Sequence, residues 1–140
     1  GQTLTVRNKN SVRPWQHVID PLVGYITLAE QLSSDRAPKL EKAFNFGPSS
    51  TNATSVSEVI KEALKYWSGP VEESHKDNAF HESSHLAICS GRAKKLLGWQ
   101  PRWNISDSVK ETIVWYREVA NGANPTDLTK AQIEKYWRAT

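Results

Sequence analysis

The chain has 140 residues, 38% of them hydrophobic, which is enough to bury one core, so a single domain over residues 1–140 is expected. Lys and Arg number 18 against 15 Asp and Glu; a net charge of +3 with the basic residues scattered points away from a nucleic-acid partner. Cys89 is the lone cysteine, so an internal disulfide is excluded, and no apolar run reaches the roughly 20 residues that span a bilayer. A soluble, cytoplasmic chain with no membrane partner is expected. The sequons at Asn52 and Asn104 have no secretory signal before them and are read as chance.

In chain order, "TLTVRN" alternates apolar or β-branched residues with polar ones and predicts a short half-buried strand, followed by a turn at "KNS". Asp20-Pro21 predicts a helix start, with Asp20 as N-cap and Pro21 in the first helical position, where its missing N–H is harmless. Leu22, Tyr25, Ile26, Leu28, Ala29 and Leu32 recur at helical spacing, predicting one buried face. After the polar connector "SSDRAPKLEK", "AFNFGP" reads as a short buried strand stopped by Gly47-Pro48. A second helix, "SVSEVIKEALKYW", carries a capping box of Ser55 and Glu58 and an apolar stripe of Val59, Ile60, Ala63, Leu64 and Trp67.

Residues 68–84 turn polar and include "VEESHKDNAFHESS", a loop rich in histidine and glutamate. "HLAIC" predicts a short strand with Cys89 as a buried small hydrophobe. "SGRAKKLLG" predicts a brief helix ended by Gly98, and "WQPRW" a rigid turn. A long helix capped by Ser106 follows, with Val109, Thr112, Ile113, Tyr116 and Val119 inward and Asn121-Gly122 as its stop. The last helix, "TKAQIEKYWRAT", is assigned Thr129 as its cap.

No Gly-x-Gly-x-x-Gly turn and no phosphate loop ending in Gly-Lys-Ser/Thr occurs, so no self-contained cofactor site is expected on this chain. None of Tyr25, Tyr66, Tyr116 and Tyr136 has a lysine four residues later, which removes the acid/base pair some reductases use; no catalytic residue is assigned. His75, His81, His85 and Cys89 can be drawn as a zinc set, but a cysteine without a partner two residues away is a weak signal, and no metal is expected.

The segments "NSVRPWQHVIDPLVGYITLAEQL", "FNFGP", "VSEVI", "HESSHLAICSGRAKKLLGWQPRW" and "VKETIVWYRE" resemble, in order and spacing, the C-terminal part of the CDP-glucose 4,6-dehydratases, in the sugar-nucleotide branch of the extended short-chain dehydrogenase/reductase family. The resemblance covers nearly the whole chain. It implies an α/β fold class: a substrate-binding C-terminal portion, mostly helical with short strands, lacking the NAD-binding Rossmann core, with NAD belonging to the full-length family rather than to this chain. It implies a nucleotide sugar, CDP-glucose, as partner, and a homo-oligomer through the face that the absent core leaves uncovered, formed by the helix 21–32 and "AFNF". Among site residues it implies that Arg13 contacts the diphosphate. A guanidinium suits this, being permanently charged and presenting a planar fork of donors to phosphate oxygens. His17 is carried as a substrate-binding residue with hydrogen bonding to backbone as its competing role. His81 and Glu82 stand where relatives bring a second nucleotide-contacting residue, and a carboxylate at Glu82 fits a ribose hydroxyl or the cytosine amine better than a phosphate. Trp15 is assigned to packing, with its indole N–H on a local acceptor. Asn45 matches a structural Asn-x-Gly strand end, and Cys89 stands where the family more often has an aspartate.

Overall fold

In the computed structural model, residues 2–35, 43–49, 53–74 and 83–138 are described. Four helices and four very short strands appear among them: β1 (Leu4–Val6), β2 (Val12–Arg13), α1 (Ile19–Leu32), β3 (Thr54–Ser55), α2 (Val56–Ala63), β4 (Val71–Glu73), α3 (Ile105–Ala120) and α4 (Pro125–Arg138), with a π-helical turn at Ala93–Leu97. The strands make two separate pairs, β1 parallel to β4 and β2 antiparallel to β3. None of these helices is long and apolar enough to cross a membrane.

Local hydrogen bonds place several ends where the sequence expects them. At α2 the capping box forms: the Ser55 hydroxyl accepts from the Glu58 N–H and Glu58 Oε2 accepts from the Ser55 N–H at 2.8 Å. Gly98 ends the π-helical turn with φ 69°, a left-handed conformation that glycine adopts without a Cβ clash, and Gly122 follows α3 with φ 94°.

Three other starts are corrected. α3 is capped by Asn104, whose Oδ1 accepts from the Asp107 N–H at 2.9 Å; the expected cap, Ser106, instead donates to Glu62 on α2 at 2.7 Å. α4 begins at Pro125, with Asn124 Oδ1 accepting from the Thr126 N–H, so Thr129 lies inside the helix and takes the indole N–H of Trp115. α1 begins at Ile19, before Asp20, and the group that meets its first amide is the His17 ring, Nδ1 accepting from the Ile19 N–H at 3.3 Å. Asp20 thus sits in the first turn, fully buried, and caps nothing.

The two predicted inner strands do not form. "AFNF" runs without strand pairing because side chains take its backbone groups: Gln16 donates to the Phe46 carbonyl at 2.8 Å, Arg92 to the Ala43 carbonyl, and the Ser90 hydroxyl both accepts from the Gly47 N–H and donates to the Gly47 carbonyl. "HLAIC" makes a single bridge, His85 to Val12, and Leu86, Ile88 and Cys89 are exposed, so Cys89 is a surface thiol.

The core has two aromatic clusters that share Val23. In one, Phe46 and Trp99 meet edge to face beside Ala93 and Leu97; in the other, Trp103 meets Tyr136 beside Ile19. α1 turns Ile19, Asp20 and Gly24 inward, with Val23 and Leu28 against the core. Leu22, Tyr25, Ile26 and Leu32 remain 48–58% exposed, so the apolar face predicted as buried is open among the described residues; Tyr116 on α3 is likewise exposed.

Candidate functional site

Arg13 closes β2, at the point where the chain leaves its two-residue pairing with β3. Its guanidinium donates to the carbonyls of Val12 (2.9 Å) and Ser83 (3.0 Å), which hold a long side chain in one place. Trp15, two residues on, is half-buried with its indole N–H on the Thr54 carbonyl at 3.1 Å, the packing role expected of it.

Arg13 lines a cleft of about 740 Å³. One wall is the 85–91 segment, tied by Val12 to the start of β2 through Val12 N–H to Ser84 carbonyl (2.9 Å) and Leu86 N–H to Val12 carbonyl (3.1 Å). Gly47 to Ser49 and Trp99 to Pro101 also line the cleft. The Ser90 hydroxyl fastens the 85–91 segment to Gly47, and the Trp99 indole N–H, bonded to the Asp20 carbonyl at 3.1 Å, fastens the Trp99 segment to α1. The described lining holds Arg13, Lys94 and His85 but no carboxylate, so the cleft suits an anion.

His17 goes elsewhere. Only 5% exposed, it stacks edge-on against Trp103 at 4.7 Å and spends Nδ1 on the helix start. Burial lowers its pKa from the ordinary value, opposed by attraction from Asp20 and Glu111. It borders a different, more apolar cavity of about 570 Å³ between α1, α3 and α4, and is not in the Arg13 cleft. The three residues between Arg13 and His17 carry the chain from the cleft into the core, so proximity in sequence does not become proximity in a site. His81 and Glu82 lie outside the described residues, which resume at Ser83, the acceptor of Arg13. Asn45 is exposed beside the buried Phe46. Among the described residues no three of His, Cys, Asp and Glu gather as a metal set; His75 and His81 lie outside them.

Sequence reasoning missed Lys94. Nothing local distinguishes it from Lys95, yet Lys94 lines the cleft because Ala93 and Leu97, both buried, fix the rotation of the π-helical turn.

No protein-family model matches the chain. It is 31% identical over 144 aligned positions to the CDP-glucose 4,6-dehydratase of Salmonella typhimurium, an alignment that covers 99% of this chain and 39% of that enzyme. The chain therefore spans about two fifths of the length of its curated relative. Among solved structures, a UDP-glucose 4-epimerase from Stenotrophomonas maltophila, crystallised with NAD and formylated UDP-arabinopyranose, matches with a TM-score of 0.68 at 19% identity, over 86% of this chain and 37% of that one. A dTDP-glucose 4,6-dehydratase from Bacillus anthracis in complex with NAD matches with a TM-score of 0.63 at 18% identity, over 84% and 35%. Structural likeness at these identities establishes the fold.

Proposed function

Because the chain corresponds in sequence and fold to the C-terminal part of an extended short-chain dehydrogenase/reductase, we propose that it is the nucleotide-sugar-gripping portion of a CDP-glucose 4,6-dehydratase. In this reading NAD, held by the remainder of such an enzyme, supplies the redox chemistry by which the sugar is oxidised at C4, loses water across C5 and C6 and is reduced at C6. The present chain binds and orients the nucleotide; its 140 residues include neither the glycine turn nor the Tyr-x-x-x-Lys pair that the hydride chemistry needs. His81 and Glu82 keep in this proposal the nucleoside contacts that the family resemblance implies for them.

The observation that carries the reading is the Arg13 guanidinium, pinned by two backbone carbonyls on a cleft of about 740 Å³ with no carboxylate in its described lining. That volume falls within the roughly 300–1,000 Å³ typical of small-molecule sites. CDP is expected to bind better than cytidine, and Arg13→Ala to remove most of that difference, because a charge-assisted hydrogen bond contributes about 1.5–3 kcal/mol, or roughly ten- to a hundredfold in affinity. Arg13→Lys keeps the charge but loses the fork and should fall between them. Calorimetry with CDP, CDP-glucose and cytidine decides; in a full-length enzyme carrying this segment the same change should raise KM with little effect on kcat. Equal affinity for cytidine and CDP, unaltered by Arg13→Ala, would leave Arg13 a structural arginine.

One observation favours a second reading, a non-enzymatic protein that self-associates. Leu22, Tyr25, Ile26 and Leu32 present a continuous apolar stripe on α1, and an exposed patch of more than a few hundred Å² favours association. A second copy of the chain is the expected occupant. Sedimentation of the isolated chain should then show a concentration-dependent dimer that Ile26→Glu dissociates; a monomer at all concentrations removes this reading and leaves the first untouched.

A further inference from the structure

A second cationic side chain lines the Arg13 cleft. Lys94 stands in the π-helical turn just after the Ser90 hydroxyl that pins Gly47, and the turn's rotation is set from behind, with Ala93 fully buried, Leu97 buried and the Trp99 N–H closing on the Ala93 carbonyl at 3.3 Å. Lys94 therefore lines the cleft, while Lys95 next to it does not. Arg13 and Lys94 belong to one lining, and two cationic side chains in one cleft favour an anionic ligand there. The two side chains differ in what they offer. Arg13 presents an oriented fork to two oxygens of one phosphoryl group, whereas an ammonium is a point charge with freely rotating donors that can follow a second group.

We propose that Lys94 is a second phosphate-binding side chain, so that the cleft selects a diphosphate over a monophosphate. The proposal rests on the nucleotide-binding reading of the same cleft and adds to it the residue that counts phosphoryl groups.

The test compares CDP, CMP and cytidine on the whole chain by calorimetry. Lys94→Gln is expected to weaken CDP about tenfold, to leave cytidine unchanged and to bring the CDP:CMP affinity ratio close to one; Lys94→Arg keeps the ratio, and Lys95→Gln changes nothing. Occupancy has a separate readout, because Cys89 is an exposed thiol on the cleft wall. Inorganic pyrophosphate should slow its alkylation by iodoacetamide in the parent chain, and much less so after Lys94→Gln. An unchanged CDP:CMP ratio together with unchanged pyrophosphate protection in Lys94→Gln overturns the proposal. If Arg13→Ala still weakens CDP in that case, the functional reading survives without it. Pyrophosphate protection that depends on Lys94, in a chain that binds cytidine and CDP equally, supports the anion site and overturns the nucleotide reading instead.

Discussion

Asp20→Ala is expected to destabilise the chain by about 3 kcal/mol, because it strands the buried Tyr136 hydroxyl and the part-buried Arg102 N–H at about 1–3 kcal/mol each. Asp20 is fully buried and its Oδ1 accepts both the Tyr136 hydroxyl, at 2.6 Å, and the Arg102 backbone N–H, at 2.8 Å. Through these bonds one carboxylate ties the start of α1 to the turn before α3 and to the last turns of α4. The Arg102 guanidinium lies over the rings of Tyr136 and Trp137, at 5.4 and 5.1 Å from their centroids, and completes the tie. Urea denaturation read by tryptophan fluorescence measures the loss. Asp20→Asn retains an accepting oxygen and should cost less than Asp20→Ala, and Tyr136→Phe should cost about 1–2 kcal/mol, since it leaves the Arg102 bond in place. The two changes should be strongly non-additive in a double-mutant cycle. A shift below 1 kcal/mol for Asp20→Ala would show that water replaces the lost partners.

The same tie has an alkaline limit. Burial first, and then the hydrogen bond to Asp20 and its charge, raise the Tyr136 pKa far above its ordinary 10.0. Because the folded value lies above the unfolded one, the stabilisation is complete below about pH 10 and is lost as the pH rises beyond it, where the unfolded chain releases the proton first. Tyr136→Phe should abolish that component of alkaline destabilisation.

The second large effect has a sign opposite to the usual one. Glycine to alanine inside a helix ordinarily stabilises by up to about 1 kcal/mol, but Gly24→Ala in α1 is expected to destabilise by about 1–3 kcal/mol through overpacking. A Cβ at Gly24 would stand 2.3, 2.7 and 2.8 Å from three ring carbons of Phe46. The ring cannot retreat, since it is wedged edge-on against Tyr25 and Trp99 and its own carbonyl is held by Gln16. Thermal melting of Gly24→Ala should show a lowered Tm, partly recovered when Phe46→Leu is added. A raised Tm would mean that the Phe46 segment shifts freely.

Most features legible in the sequence are those set by residues within about four positions, or, for β1, by the alternation of its own residues, although its partner β4 is remote. Ser55 and Glu58 close their capping box, Gly98 and Gly122 take the left-handed turns, and β1 forms where alternation places it. Asn124-Pro125 is an equally local start signal for α4, and it prevails over Thr129. The ordered motifs gave the family resemblance and singled out Arg13, which lines the cleft. Tertiary structure decided the rest because the deciding partners are remote. Asp20 has the local profile of a cap, but its hydrogen bonds reach 82 and 116 residues along the chain. His17 looks like a neighbour of Arg13 until the ring turns into the core against Trp103. Strand propensity in "AFNF" and "HLAIC" is overridden because Ser90, Gln16 and Arg92 side chains satisfy the first segment's backbone, while the second pairs at one residue only. Lys94 and Lys95 are indistinguishable in sequence, and only the burial of Ala93 and Leu97 turns one of them to the cleft. Periodicity shows that α1 has an apolar face but carries no information on what meets it, since burial depends on which surfaces the whole chain brings together and helical spacing records only the local arrangement of side chains.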